Sequence, residues 1–467
     1  MHLCQELQGP GSAAPTSGTS QAADGRWRRT LLAAMANYID AGSIVAGAVA
    51  LPIWATHFGF GDSFVSFLGA FSSNAIAAGL GALVGGRVCD LFGRKRIYQW
   101  DLLLYAFGTL WIVFAMEPWM LLFGFFCVGV TVGADVPASW TLITETAPNE
   151  RRGRFAGLAQ VLWYVGAIAP LLLGLVLLDL GMLATRIIFA HLFVVALITW
   201  GLRQGMTESA LWKRAQDGGE QASTGRAARE LLRSPWTKAL AFLIVMYGVW
   251  NLVAGTYGLF FPYILDAVGS TTDRANLALQ AIWFLSTALA VAFVYMPLID
   301  RVSRRKLLLW SSVLQLAAFV PFIFFDVTFL TALINVVLFG AGAGIGQQSL
   351  FQLWSGELFP TLLRSTAQGL MFGVVRIALG GWILLLPVIQ DAGFQTLSVI
   401  LFAMLLVSGA VGVLFAPETA GRDLSETQGD IGRARTVTGR FAREGATDDA
   451  ATPAQPGSVD LTGSGPR

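Results

Sequence analysis

The chain has 467 residues, of which 55% are hydrophobic and only 13% are charged, and its formal net charge is +2. A mean hydropathy of +0.63 excludes an ordinary soluble globular protein, and a nearly balanced charge gives no indication of nucleic-acid binding. Apolar runs of about 20 residues, long enough to cross the hydrocarbon core, recur along the chain. The composition therefore predicts an all-α membrane protein embedded in the lipid bilayer.

Twelve apolar runs are separated by turns or short charged loops, so we predict twelve transmembrane helices. They cover residues 31–56, 64–85, 98–115, 119–144, 156–178, 184–202, 239–265, 276–298, 307–325, 328–355, 367–389 and 394–416.

Basic residues are concentrated on one side of this topology. If both tails and every even-to-odd loop lie on one side, that side holds all but three of the 31 Lys and Arg residues. The exceptions are Arg186, Arg274 and Arg376. The positive-inside rule makes the basic side cytoplasmic. We therefore expect a multi-pass plasma-membrane protein with both termini in the cytoplasm.

The two terminal segments outside the predicted spans lack the apolar pattern of a folded domain. Residues 1–29 are rich in Gly, Ser, Ala, Thr and Gln and contain no secretory signal, which predicts a disordered cytoplasmic tail. Residues 417–467 form a second predicted cytoplasmic tail. Cys4, Cys89 and Cys127 have no ligand spacing, so neither a disulfide framework nor a metal site is predicted.

The chain contains an internal repeat. A charged linker over 204–237 separates six predicted helices in 30–203 from six in 238–416. Repeats of this kind typify transporters, which hold the solute between halves near the bilayer midplane. Four residues recur at an offset of 212: Glu145, Pro148, Arg152 and Gly157 match Glu357, Pro360, Arg364 and Gly369.

Four motifs resemble one known family in order and in loop position. They are GGRVCDLFGRKR at 85–96, ETAPNERRG at 145–153, MTESALW at 206–212 and PETAG at 417–421. Together they resemble the sugar porter branch of the major facilitator superfamily, over most of residues 30–421. The resemblance implies twelve helices in two six-helix halves, alternating access, no cofactor and a monomer.

Three ionisable residues are predicted to lie at one depth in the bilayer. Asp40 is about ten residues into the first helix, Asp135 is ten residues before Glu145, and Arg376 is a similar distance into helix 11, so each lies about 15 Å deep. Ionisable groups within spans face the bundle interior and are functional candidates. We therefore take Asp40, Asp135 and Arg376 as the charge or proton-coupling site.

The resemblance supports proton coupling at Asp40, because proton-coupled sugar porters carry an aspartate there. The family's partner arginine falls here on Leu122, so Asp135 or Arg376 is left as the alternative partner. Desolvation raises the pKa of a carboxyl group and a nearby arginine lowers it. Two further alternatives stay open: Asp40 and Arg376 form a structural ion pair, or Arg376 binds a substrate carboxylate.

Amide side chains are the candidates for substrate binding, since a small polar solute needs a few hydrogen-bonding groups in an apolar cavity. Gln160 matches the helix 5 glutamine that sugar porters place on their substrate. Trp163, Tyr257 and Trp354 are assigned to packing. The family's paired glutamines in helix 7 are absent, so a sugar itself is not implied. The other candidates are polar residues at mid-depth: Asn251, Gln347, Gln348 and Gln352.

Charged residues at the cytoplasmic helix ends are predicted to form a gate. Acidic and basic residues occur in matching positions of both halves, which simple anchoring by positive charge does not explain. Closing the inner side would bring them together and opening would separate them. The gate set is Asp90, Gly93, Arg94, Glu145, Arg152, Asp300, Arg304, Glu357 and Arg364.

The sequence thus favours a secondary active transporter that carries a small polar organic solute, such as a sugar or polyol, inward with protons. No phosphate-binding GxxxxGK[ST] loop and no HExxH or GxSxG motif is present, so neither ATP-driven transport nor enzymatic activity is expected. Two alternatives remain. One is a proton-coupled exporter of organic cations or drugs, and the other is a solute-sensing membrane receptor.

Overall fold

The structure, a computed structural model, describes residues 17–71, 75–217, 231–232, 236–260, 272–390, 393–420, 422 and 424. Every long element within these ranges is a helix, and they contain no strand. In chain order the helices are α1 (Ser17–Phe58), α2 (Asp62–Ala70), α3 (Ile76–Phe92), α4 (Arg94–Val113), α5 (Pro118–Thr146), α6 (Arg152–Leu177), α7 (Met182–Arg203), α8 (Ala210–Asp217), α9 (Trp236–Gly255), α10 (Asp273–Ala290), α11 (Arg304–Phe324), α12 (Phe329–Ile345), α13 (Gln347–Glu357), α14 (Arg364–Gln390) and α15 (Phe394–Phe415). A wider π turn extends α9 over Thr256–Phe260, and the turns Val291–Tyr295 and Met296–Leu298 extend α10.

Ten helices among the described residues are long and apolar enough to cross a membrane. The predicted second and third spans, 64–85 and 98–115, are not among the ten. Large apolar side chains such as Val176, Phe293 and Leu414 lie exposed on the outside of the bundle. Such a surface suits lipid, where helices satisfy all their backbone hydrogen bonds internally. The chain is a multi-pass membrane protein.

The bundle consists of two halves that meet along two helix pairs. In the first half α1 packs on α6, and α3 and α4 pack on α5. In the second half α10 and α11 pack on α12, and α9 packs on α15. The halves join where α3 meets α14 and where α6 meets α10. Helices α3 and α14 approach closely because glycines lie at their contact. A Cβ at Gly86 or Gly369 would overlap the backbone of the other helix.

Two features differ from the sequence predictions. Residues 17–29, expected to be disordered, are helical and continue into α1, because Trp27 stacks on Phe155 of α6 with ring centroids 4.3 Å apart. The predicted span 328–355 is broken at Gly346, where the Ser311 hydroxyl lies against the glycine and bonds the Gly342 carbonyl at 2.8 Å.

Several other predicted segments lie outside the described residues. These are 1–16 of the first tail, 72–74 of the second span, 218–230 and 233–235 of the linker, 261–265 of the seventh span, and 421, 423 and 425–467 of the second tail.

The start of α1 and the end of α15 lie at the same end of the bundle. Trp27 reaches the first turns of α6, and Thr419, which follows α15, bonds Glu357 at 2.7 Å. Glu357 in turn contacts Arg152, the first residue of α6. We call this end the tail face and the other end the opposite face.

Candidate functional site

A buried carboxylate joins the two halves at the tail face. Glu145, at the end of α5, accepts hydrogen bonds from Arg94 of its own half at 2.8 Å and from Arg364 of the other half at 2.9 Å. The carboxylate and both guanidinium groups are no more than 1% exposed. Arg94 also donates to the Thr361 carbonyl across the interface.

A second carboxylate of the first half caps a helix of the second half. Asp90 accepts from the backbone N–H groups of Ser365 at 3.3 Å and Thr366 at 2.7 Å, and from the Thr366 hydroxyl at 2.8 Å. These groups belong to the first turn of α14, whose unpaired N–H groups and positive dipole end favour an anion.

The internal repeat produces the same arrangement in the other direction. Glu357, at the end of α13, binds Arg304 of its own half and Arg152 of the first half, the latter at 3.3 Å. Asp300 accepts from the backbone N–H groups of Gly153 at 3.1 Å and Arg154 at 3.3 Å, at the start of α6. Burial raises the pKa of Asp300, although these two backbone hydrogen bonds oppose the shift.

Two acidic residues that were not among the predicted gate residues cap the helices that begin with Arg94 and Arg304. Glu208 accepts from the backbone N–H groups of Arg94 at 3.1 Å and Lys95 at 3.0 Å, and so caps α4. Glu418 does the same for the start of α11. Gly93 has φ = +91° and lies against the Glu208 carboxylate, which explains why a glycine is needed there. The repeat of MTES at 206–209 in APET at 416–419 was the signal for these two caps.

All nine predicted gate residues therefore lie in one contact layer, which closes the tail face in this structure. At the opposite face, the described residues show one ion pair between the halves. Arg274 and Asp179 approach to 2.8 Å, but their side chains are 62% and 80% exposed. Exposed pairs contribute about 0–1 kcal/mol, so this one holds the halves together weakly.

A cavity with about 430 Å³ of empty space lies between the halves. Among the predicted site residues, Asn251, Gln348 and Arg376 line it. Its wall is otherwise mostly aromatic or small. The remaining lining residues are Ile44, Trp163, Tyr164, Trp250, Ala254, Gly255, Gly258, Trp283 and Ala343.

The other predicted glutamines do not border this cavity. Gln160 of α6 donates to Gln352 of α13, and this bond links the two halves. The Gln347 carbonyl accepts from Gln315 at 2.7 Å and Ser311 at 3.2 Å, both within the second half. The break at Gly346 turns Gln347 toward α11, whereas a continuous helix had been assumed.

Asp40 and Arg376 meet beside the cavity, across the interface between the halves. Their charged atoms are 3.8 Å apart, and their side chains are 3% and 4% exposed. Trp163, which the sequence analysis assigned to packing, donates its indole N–H to Asp40 at 2.8 Å. The second carboxylate oxygen of Asp40 has no hydrogen-bond partner among the described residues. Asp40 is thus a buried, incompletely bonded carboxylate next to the cavity between the halves.

Asp135 does not join this pair, contrary to the expectation from its depth. It binds Arg203 at 2.8 Å, and the same nitrogen of Arg203 lies 3.4 Å from Asp101. Counting residues gives a level along the helix axis but not the direction of the side chain, and Asp135 points toward α4 and α7. Asp101, an acid inside the apolar run 98–115, was the available signal that the sequence analysis missed.

Comparison with known proteins identifies the family. The sequence pattern described as Major Facilitator Superfamily matches residues 30–381. The chain belongs to the major facilitator superfamily. It is a secondary active transporter with sugar-porter-like motifs, and not an enzyme.

Two relatives and one solved structure place the transporter more closely. It is 41% identical to the Minor myo-inositol transporter IolF of Bacillus subtilis over 418 residues, which cover 86% of this chain and 94% of IolF. It is 26% identical to the Inner membrane metabolite transport protein YgcS of Escherichia coli, over 76% of this chain and 83% of YgcS. The proton:xylose symporter XylE bound to 6-bromo-6-deoxy-D-glucose has the same fold, with a TM-score of 0.73 and 16% identity over 87% of this chain and 99% of XylE.

Proposed function

We propose that this transporter imports a cyclic polyol of the inositol class together with a proton. The observation that carries the substrate class is the 41% identity, over nearly the full length, to a protein named as a myo-inositol transporter. The chemistry of the cavity gives independent support.

Buried polar atoms around the cavity suit a ligand that both donates and accepts hydrogen bonds. The Asn251 carbonyl and the Trp283 indole N–H line the cavity and have no partner among the described residues. A polyol hydroxyl can bond either kind of atom, and aromatic walls suit the C–H faces of its ring.

The proton would bind at Asp40. With Arg376 beside it, the ionised carboxylate is stabilised, and when Arg376 turns toward the solute, Asp40 is left buried and favours its neutral form. Solute and proton would then occupy the site together, and their joint binding would permit the change between outward-facing and inward-facing states. The positioning of Arg376 at both the cavity and Asp40 supports this coupling.

The gate residues would drive the alternation. Each of Glu145 and Glu357 binds one arginine of its own half and one of the other half. The contacts within a half survive opening, whereas the contacts between halves do not. We place the tail face in the cytoplasm, because of its basic residues. We also propose a chain of twelve spans, with α2–α3 and α4 as the second and third, that works as a monomer, because one chain supplies every residue of the cavity and gate.

The exporter of organic cations fits less well. Arg376 lines the cavity and balances the charge of Asp40, so the site is not acidic overall. A sensor without transport has no supporting feature among the described residues.

A binding screen on the purified full-length protein tests the substrate class. Ligands that bind the folded state raise its Tm by mass action. We expect myo-inositol to raise the Tm more than xylose, organic acids or organic cations do. The effect should shrink in Asn251→Leu and persist in Asp326→Asn, a control at an exposed acid. A response confined to organic cations would contradict the proposal and favour the exporter.

A further inference from the structure

Two buried carboxylates share a single arginine in the first half. Asp101 and Asp135 both lie against the same Nη atom of Arg203, at 3.4 Å and 2.8 Å. The three side chains are 3%, 4% and 0% exposed. Because both contact the same nitrogen atom, the two carboxylates lie side by side. We call these three residues the acid pair and its arginine.

The other groups that face the acid pair do not balance its charge. The remaining Arg203 nitrogens donate to the carbonyls of Leu32 at 2.9 Å and Ala33 at 3.1 Å in α1. Ser139 of α5 donates to Asp135 at 2.8 Å, and the Tyr98 ring of α4 lies 4.4 Å from the guanidinium. The Leu102 backbone N–H donates to Asp101 at 2.6 Å.

Titratable and charged groups on the surrounding elements do not balance the charge of the acid pair either. They are Asp40 on α1, Cys89 on α3, and Tyr98 and the exposed Arg96 on α4. Among the ion pairs of the described residues, Arg203 is the sole partner of each carboxylate.

This arrangement requires a proton. Two ionised carboxylates that lie side by side repel each other, and one guanidinium cannot neutralise both in a membrane interior. We propose that Asp101 and Asp135 bind one proton between them and form a proton-binding site distinct from Asp40.

The site has its own position in the fold. Arg203 bonds α1 at residues 32 and 33, seven or eight residues before Asp40, which is about 10–12 Å closer to the tail face. Asp101 borders a groove with about 1280 Å³ of empty space on the outer side of α3, α4 and α5, and Phe92, Arg96 and Trp100 also line it. The site is thus separate from the cavity between the halves. Its use in transport, as a proton store between Asp40 and the tail face, rests on the proposed symport.

Infrared spectroscopy of the reconstituted full-length protein tests the site directly. A protonated carboxylic acid has a C=O stretch that an ionised carboxylate lacks. We expect wild-type protein at neutral pH to show this band. Asp101→Asn and Asp135→Asn should each lower its intensity by the contribution of one carboxylic acid, because the remaining acid then ionises beside Arg203. Asp40→Asn and the exposed-site control Asp326→Asn should leave this part of the band intact.

A wild-type protein without the band, or a band that persists in both variants, would overturn the proposal. If only one of the two variants removes the band, the proton belongs to that residue and the shared site is wrong. A titration of the wild-type band to alkaline pH, with loss of one proton in a step that Asp40→Asn does not alter, gives the same answer if a variant fails to fold. No substrate takes part, so failure of polyol transport would leave this result standing.

Discussion

Removing the charge of Glu145 should open the tail face. The substitution Glu145→Gln keeps the shape of the side chain and an acceptor oxygen, but it removes the anion between Arg94 and Arg364. Arg94 lies in the same half as Glu145 and stays near it in both states. The contact with Arg364 at 2.9 Å exists only when the halves are together, so its loss acts on the closed state alone.

The size of the effect follows from that one contact. A hydrogen bond between charged groups contributes about 1.5–3 kcal/mol net. Each 1.4 kcal/mol changes an equilibrium constant about tenfold, so the ratio of closed to open molecules should fall by about 10- to 100-fold.

Spin labels at Lys95 and Arg305, exposed and equivalent positions of the two halves, report this ratio as a distance distribution. The distribution should gain a longer component in Glu145→Gln. Glu150→Gln, an exposed acid at the same face, should leave it unchanged. An unaltered distribution in Glu145→Gln would refute the role of the contact in gating.

Three further predictions concern the turn before α4, the cavity and Asp300. Gly93→Ala should destabilise the protein by about 1–2 kcal/mol, because φ = +91° disfavours a side chain. Gly205→Ala, which has open space around it, should not, and thermal unfolding measures both. Asn251→Leu should weaken polyol binding about 2- to 10-fold through the loss of one hydrogen bond, measured by calorimetry; unchanged affinity would remove Asn251 from the site. Burial raises the pKa of Asp300, so its stabilising contribution is present at low pH and is lost as the pH rises through that raised pKa. The Tm of Asp300→Asn relative to wild type should therefore increase from acidic to neutral pH, and a decrease would contradict the sign.

The sequence predicted which residues meet at the tail face better than it predicted which residues line the cavity. Gate residues follow from a repeat at fixed offsets, and in such a repeat Glu145 and Glu357 must occupy equivalent places. Cavity residues depend on the rotation of each helix about its axis. Residue counting placed Asp40 and Arg376 at one level, and they do meet. The same counting placed Asp135 with them, but α5 is rotated so that Asp135 faces Arg203.

Breaks in helices were the other source of error. The span 328–355 reads as one apolar run, yet it breaks at Gly346 because Ser311 replaces a helical hydrogen bond there. Gln347 and Gln348 both follow the break, at the start of α13, and consecutive helix positions point about 100° apart, so only the second lines the cavity. A run of glycine and small residues, AGAGIG at 341–346, marks the flexible point but does not specify a break.

Uptake into proteoliposomes tests the central claim, proton-coupled transport of a cyclic polyol through Asp40. Wild-type protein should accumulate labelled myo-inositol above its external concentration when the outside is acidic, and Asp40→Asn should exchange myo-inositol across the membrane but no longer accumulate it. Accumulation by Asp40→Asn equal to that of wild type, or a wild-type rate that ignores the pH gradient, would contradict the account.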